Sequence, residues 1–257
     1  MVASSMPDGG FVRVQAGRSL MLVDVGVPAP AGHDRDAHAG TLAFEFSCAR
    51  QRLIVNCGGG VLPIWKEALR QTAAHSVVVV EGCPPPNSGR RFGAPQAHAC
   101  RGGTCRGRGA HWLNLSHDGY HASAGVTYYR RLYLGGDGEI LRGEEMLEGE
   151  RELAFVLRLH LHPSVTAVEG PDGSVLLEAG EQHWRFRAMG GTVGIEESVY
   201  HGGPAPAARC RLWCGWTRRG GRGQDATAPP AEGRTRTMSR CAARERRAGC
   251  GRWCAGH

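Results

Sequence analysis

A chain of 257 residues, 41% of them hydrophobic, is long enough to bury a substantial core, and an all-β chain of this length can form one domain. No run of about 18 apolar residues is present, which excludes a membrane-spanning helix, so we expect no membrane partner. The formal net charge of +7 is unevenly spread. Residues 209–257 hold twelve arginines and three acidic residues, and residues 83–109 hold five arginines and no acidic residue. The rest of the chain therefore carries a net negative charge.

The N-terminal part of the chain predicts mostly strands. "FVRVQAG" and "SLMLVDVG" are short β-type runs, and "TLAFEFSCARQRLIVNCG" predicts two strands joined by a polar turn. The stretch "LPIWKEALRQTAAHS" predicts one helix, from Ile64 to Ala73. The first residues lack the basic leader and apolar segment of a signal peptide. We therefore expect no export signal in this chain, and we expect it to be a fragment, the later part of a longer protein.

The C-terminal part repeats the same pattern at turns spaced 8 to 12 residues apart. "GGDGE" and "GPDGS" are typical of hairpin turns, because Asp-Gly tolerates positive φ. About a dozen strands in some 200 residues predict an all-β fold, a large antiparallel β-sandwich (a supersandwich) with one short helix. We expect this domain to span residues 1–208.

Two segments interrupt that pattern. Residues 83–109 and 209–257 hold eight of the ten cysteines, are crowded with Arg, Gly and Pro, and show no sustained apolar periodicity. One interpretation is translation of a GC-rich coding sequence in the wrong frame; the alternative is a natural basic tail, predicted to be disordered. We expect a closing apolar strand after "SVYHGGPAP" to be missing, which would leave an open sheet edge.

Three histidine-bearing stretches are candidate sites. His38, His75 and a residue near Asn56 could hold a metal, although scattered histidines are more often core or surface groups. His160 and His162 share one strand face, which suits a metal or a sugar acid, or simply solvent.

The third stretch is "LSHDGYHASAGVTYYRRLYL". His117 and Tyr120, with Arg130 and Arg131 on the next strand, could bind an anionic sugar, because Arg pairs with carboxylates through two hydrogen bonds. The alternative is a hairpin in which the tyrosine packs and the arginine makes an ordinary salt bridge.

The order of these features resembles the C-terminal β-sandwich domain of the heparinase II/III-like family of polysaccharide lyases. The resemblance covers about residues 11–82 and 110–203. It is carried by "DAHAGTLAFEFS", "RLIVNCG", "TAAHSVVVVEG", "LSHDGYHASAGVTYYRRLYL", "LRGEEML", "FVLRLHLHPSV" and "HWRFRAMGGTVGIEESVY".

The resemblance implies β-elimination on a uronic-acid polysaccharide, in a cleft between this sandwich and an N-terminal α/α toroid. The chemistry needs a neutralised uronate carboxylate, a Tyr or His base and an acid for the leaving oxygen. The implied catalytic residues are Asp36, His38 and Tyr120. The implied substrate-binding residues are His117, Arg130 and Arg131. The family usually works in the periplasm.

The chain also departs from the family pattern. The motif that often reads His-Ala-His-Ala-Asp is matched by "DAHAG", so Asp36 stands at the catalytic histidine and Gly40 at the acid. The implied zinc ligands are His38, Asn56 and His75, and the loss of the anionic ligand at Asn56 predicts weak zinc binding.

We therefore expect the C-terminal domain of a polysaccharide lyase acting on acidic polysaccharide, catalytically incomplete without the toroid. The alternative is a non-catalytic carbohydrate-binding or structural sandwich. A third hypothesis, a basic nucleic-acid-binding protein, depends on residues 209–257 alone. We expect no nucleic-acid partner.

Overall fold

The computed structural model describes residues 2–6, 9–30, 32–59, 63–83, 96–98, 109–203, 207–218 and 238–240. In this part of the chain the fold is two large antiparallel sheets with a shared core, which confirms the predicted all-β sandwich. None of the described helices has the length and apolar character needed to span a membrane.

The first sheet has the strand order β1-β2-β3-β4-β5-β11-β16-β15, and β6 also pairs with β11. Its strands are β1 (Val2–Met6), β2 (Phe11–Ala16), β3 (Ser19–Asp24), β4 (Phe44–Cys48), β5 (Gln51–Val55), β6 (Val78–Val80), β11 (Leu153–Leu161), β15 (Thr192–Tyr200) and β16 (Ala207–Arg218).

The second sheet has the strand order β12-β13-β14-β17-β10-β9-β8-β7. Its strands are β7 (Gln96–His98), β8 (His111–His117), β9 (Val126–Leu134), β10 (Ile140–Gly149), β12 (Val165–Glu169), β13 (Val175–Ala179), β14 (Gln182–Phe186) and β17 (Met238–Arg240). The predicted turns are confirmed, since Gly138 and Gly173 take positive φ where β9 meets β10 and β12 meets β13.

The core lies between the sheets because alternate residues of each strand point inward. Phe46 of β4 meets Trp184 of β14 edge to face, with ring centroids 5.1 Å apart, and the two side chains are 1% and 0% exposed. Each large apolar side chain buried in this way contributes about 1.5–3 kcal/mol to folding. This contact joins the two sheets across the core.

The helical content differs from the prediction. The predicted helix is α1 (Pro63–Arg70), which stops three residues early because Gln71 is extended at ψ 151°, and a 3-10 turn (Thr72–Ala74) follows. A second short helix, α2 (His121–Ala124), precedes β9 and ends at Gly125, whose φ of 70° suits glycine. The prediction of a single helix missed α2 because four residues carry no periodic signal.

The expectation of a missing closing strand was wrong. Residues 207–218 form β16, which pairs with β11 on one side and β15 on the other. Leu212 is completely buried between the flanking Arg211 and Trp213. Alternate residues of this strand, from Ala208 to Trp216, are apolar, but the Arg and Gly residues between them and the Arg/Gly-rich sequence that follows hid this period of two. Apart from β7 and β17, most of 84–108 and 219–257 lies outside the described residues, and the predictions of irregular and disordered segments fall there.

Candidate functional site

The first cluster of predicted site residues lies in the loop between β3 and β4 and in the turn after α1. The His38 and His75 rings meet edge to face, with centroids 5.4 Å apart. The Nδ1 atom of His75 lies 2.9 Å from the carbonyl oxygen of Gln71, and since a carbonyl only accepts, Nδ1 carries the proton. Burial lowers the pKa of His75 to about 4. His75 is therefore neutral at neutral pH.

His38 is more accessible than its neighbour. Its side chain is half-buried and hydrogen-bonds to the backbone of Leu69. Burial, and then the nearby Arg70 guanidinium, lower the pKa of His38. Among the three residues that the family pattern implies as catalytic, His38 is thus a neutral imidazole at an accessible position, which is the form able to accept a proton.

Gly40 explains why His75 fits so closely beside this loop. A Cβ atom at position 40 would lie 2.7 Å from Cδ2 of His75. Any larger residue would push the ring away, because real Cβ atoms do not approach carbon so closely. The absence of a side chain at Gly40 is therefore what allows the His75 ring to pack against this loop.

The residues at the implied zinc positions do not fit a zinc ion. The Oδ1 atom of Asn56 accepts a hydrogen bond of 2.9 Å from the amide of Ser76, and its Nδ2 atom donates to Glu45 at 3.4 Å. Both ends of the amide are thus used by the protein, and the two edge-to-face histidines supply no anionic ligand. In the described ranges, no three His, Cys, Asp or Glu side chains converge as metal ligands.

Helix α1 holds the loop that carries His38. The Arg70 guanidinium donates to the carbonyls of Asp34 and Ala37, each at 2.9 Å, and the amide of Ala39 donates to the carbonyl of Arg70 at 2.8 Å. The sequence analysis missed this role. The signal available was the single amphipathic helix with a basic last turn, directly downstream of the loop.

Asp36 lies on the solvent side of the same loop. Its carboxylate pairs with the Lys66 ammonium at 2.6 Å, and the Asp36 side chain is 75% exposed. The hydrogen bond and the charge of Lys66 lower the pKa of Asp36. Asp36 and His38 therefore lie two residues apart on one loop, and Lys66 is the cation paired with Asp36.

Tyr120 and His117 lie in the interior between the sheets. Tyr120 is 2% exposed and donates from its hydroxyl to the carbonyl of Val78 at 3.3 Å, while burial raises its pKa. His117 is 6% exposed, and its Nδ1 accepts from the amide of Gly119 at 3.0 Å. Burial lowers the pKa of His117 to about 4. Their ring centroids are 5.6 Å apart, so the two residues lie together in the interior.

Arg130 is a buried clamp rather than a surface group. Its side chain is 0% exposed and pairs with Glu145 at 2.9 Å, and Tyr128 also donates to that carboxylate. The Nη1 atom of Arg130 donates to the carbonyls of Leu42 at 2.6 Å and Ser76 at 3.0 Å. This geometry matches the salt-bridge alternative for the hairpin.

Arg130 also contacts the two segments that carry the His38 and His75 pair. Leu42 follows the His38 loop and holds a positive φ of 66°, which is strained for a branched side chain, and Ser76 directly follows His75. By bonding both carbonyls, Arg130 joins the two segments that carry the histidine pair. Arg131, one residue on, faces outward and pairs with Glu144 at 3.2 Å.

A further polar cluster was not predicted from the sequence. The Nδ1 atom of His160 lies 2.9 Å from the hydroxyl of Ser198 and 3.3 Å from Sγ of Cys57, and its Nε2 lies 2.9 Å from the carbonyl of Ala73. Burial lowers the pKa of His160 to about 4 and raises that of the Cys57 thiol. Both groups are neutral and buried, so this cluster is a set of structural hydrogen bonds. The surface roles considered for His160 do not apply, because it is 2% exposed.

Residues 2–211 match a protein family described as "Heparinase II/III-like, C-terminal". FtsZ-localized protein C of Caulobacter vibrioides is 32% identical over 221 residues, which cover 77% of this chain and 38% of that protein. The solved structure of heparan sulfate lyase HepC from Pedobacter heparinus superposes with a TM-score of 0.72 at 12% identity. The heparinase III BT4657 gene product superposes with a TM-score of 0.68 at 13% identity.

Each of these two structures is matched over 93% of this chain and 36% of the solved chain. The chain therefore spans little more than a third of the length of these relatives, and at such identities the superpositions show the fold alone. The chain belongs to the heparinase II/III-like family, whose C-terminal β-sandwich it contains.

Proposed function

We propose that this chain contributes one side of a site for uronic-acid-containing acidic polysaccharide, within a larger protein of the polysaccharide lyase type. The observation that carries the proposal is the half-buried, neutral His38, on a loop that helix α1 holds through Arg70, with the Asp36–Lys66 ion pair two residues away. The exposed Lys66 can exchange its partner Asp36 for a uronate carboxylate, and a neutral imidazole can accept a hydrogen bond or a proton from the sugar.

The same geometry supports a chain that binds polysaccharide without cleaving it alone. β-Elimination needs a base that reaches the sugar, and Tyr120 has its hydroxyl bonded to Val78 in the interior. Asp36, at the position of the family's catalytic histidine, is held as a carboxylate by Lys66. The remaining catalytic groups would come from a partner domain, the α/α toroid of the family pattern. The family resemblance supports a periplasmic location.

A non-catalytic carbohydrate-binding or structural role is the second candidate. It is supported by the combination of Asp36 and Gly40 in place of the motif's histidine and acid. It is also supported by the higher identity to FtsZ-localized protein C, at 32%, than to the two lyases, at 12% and 13%. That protein's name describes a position at FtsZ, not cleavage of a polysaccharide.

One experiment separates these functions. The full chain is incubated with heparan sulfate and with alginate, binding is measured by calorimetry, and product is followed by the ultraviolet absorbance of the unsaturated uronate. We expect binding without product, and we expect His38→Ala to weaken binding at least fivefold. His33→Ala is the matched control, because His33 is exposed in the same loop. Product formed by the chain alone would overturn the incomplete-site proposal, and equal binding by both variants would overturn the site.

A further inference from the structure

The outer face of the second sheet carries a row of aromatic and cationic side chains. Trp112 of β8 and Arg142 of β10 both lie opposite Tyr133 of β9 in the strand register. The rings of Trp112 and Tyr133 are tilted by 54° with centroids 4.6 Å apart, and the Arg142 guanidinium lies 5.5 Å from the Tyr133 ring centre. Three neighbouring strands thus present one continuous indole, phenol and guanidinium surface.

This row is not needed to fill the core. Leu113 and Leu132, on the inward faces of β8 and β9, are 2% and 1% exposed, while Trp112 on the outward face is 40% exposed. Arg142 is also exposed, and in the described part of the chain no carboxylate pairs with it. A large aromatic ring and an uncompensated cation are therefore left on the same open face.

Polar side chains continue the surface along the strands. Asn114 lies opposite Arg131, which lies opposite Glu144, and the Arg131 side chain is 55% exposed. Tyr129 follows on the same face, four residues from Tyr133, which is about 13 Å along a strand. The face therefore alternates aromatic, polar and aromatic positions, over a length that suits an extended chain.

We propose that this face is a second binding surface for acidic polysaccharide, distinct from the His38 loop. Pyranose rings present apolar C–H faces that pack on aromatic rings, so the Trp112 and Tyr133 pair offers a platform for one sugar. Arg142 beside the platform complements the carboxylate or sulfate of that sugar through two parallel hydrogen bonds. The two surfaces belong to different sheets, so one long polymer would be held at two places.

The polysaccharide class named here rests on the proposed function. A structural role for the aromatic row predicts something else, since cross-strand aromatic pairs also stabilise a sheet. In that case removal of Trp112 would lower stability and leave polysaccharide binding unchanged. Trp112→Ala, which leaves the charge unchanged, and Arg142→Gln, which removes a charge, can therefore be compared directly.

The test uses the full chain, heparan sulfate as the acidic probe and dextran as the neutral probe, with dissociation constants measured at physiological salt. Trp112→Ala and Arg142→Gln should each weaken heparan sulfate binding at least fivefold, with the thermal midpoint of Arg142→Gln unchanged. Val168→Ala is the matched control, because Val168 is a 48% exposed apolar residue elsewhere on the second sheet. Binding to dextran should be weak and insensitive to Arg142.

The outcomes separate this surface from the His38 site. If His38→Ala weakens binding and the Trp112 and Arg142 variants do not, the second surface is refuted and the proposed function stands. If only the Trp112 and Arg142 variants weaken binding, the second surface stands and the His38 site is refuted. Wild-type levels of binding in all of them, or no binding by the wild type, would refute both. Single-stranded DNA serves as a third probe: loss of DNA binding in the Trp112 and Arg142 variants, with heparan sulfate binding kept, would assign the face to nucleic acid and refute the sugar.

Discussion

Three buried histidines make the stability of this fold sensitive to mild acid. His75, His117 and His160 each have a pKa near 4 because burial disfavours the imidazolium. In the unfolded chain each returns to about 6.5. Above pH 6.5 these histidines are neutral in both the folded and the unfolded chain, so their titration does not change the free energy of unfolding. Between pH 6.5 and 4 the unfolded chain binds protons that the folded chain does not, so stability falls as the pH falls through this window.

The size of the effect follows from these pKa values. Between pH 8 and pH 5.5 each histidine lowers the free energy of unfolding by about 1.4 kcal/mol, and the three together by about 4 kcal/mol. Small domains have about 5–15 kcal/mol in total. The measurement is urea denaturation followed by tryptophan fluorescence at both pH values, with the free energy extrapolated to water.

A variant isolates one histidine from the other titrating groups. His117→Gln keeps a side-chain acceptor for the amide of Gly119 and should remove about 1.4 kcal/mol of the pH dependence. The nearby charges that act on His117, Asp118 and Arg130, stay in place. His121→Gln is the control, since His121 is exposed. An unchanged pH dependence in His117→Gln would refute the reasoning.

Three substitutions test other parts of the site. Glu145→Gln leaves Arg130 buried without its counter-ion and should lower the free energy of unfolding by about 3–5 kcal/mol in urea denaturation; a loss below about 1 kcal/mol would contradict a buried ion pair. Gly40→Ala forces the new methyl against His75 and should cost about 1–3 kcal/mol, seen as a lower thermal midpoint; an unchanged midpoint would contradict the close contact. Asn56→Asp turns a donor into a carboxylate facing the glutamate of β4. This variant should lower the free energy of unfolding by about 1–3 kcal/mol at pH 8 and by less at pH 5. The wild-type chain should show no tight zinc binding in calorimetry with zinc chloride.

The strands and hairpins were predictable because their signals are local. Alternation in β2, β3 and β9 identified strands, and the Asp-Gly turns identified hairpins. The same alternation also held information about Arg130. It shares its strand face with Tyr128 and Leu132, both fully or almost fully buried, so an inward arginine was indicated. What the sequence could not supply was its counter-ion on the next strand.

The contacts that arrange the candidate site are not local. Arg130 reaches the carbonyls of Leu42 and Ser76, which lie 88 and 54 residues away in the sequence. His160 meets Cys57 over a separation of 103 residues. Neither contact leaves a pattern of period two or 3.6, so only the fold brings these groups together. The family resemblance identified the His38 loop, because its motif is contiguous.

The position of β16 between β11 and β15 has a consequence for how this chain is made. β11 is complete at Leu161, with β5 and β6 on one side, but its other side has no partner until Ala207–Arg218 have been synthesised. At about 5–20 residues per second, the wait is a few seconds. During that interval the nascent chain holds a half-paired strand and an unpaired β15, so a chaperone that covers exposed strands should raise the soluble yield. A message truncated before codon 207 would leave every copy of the protein permanently at that stage.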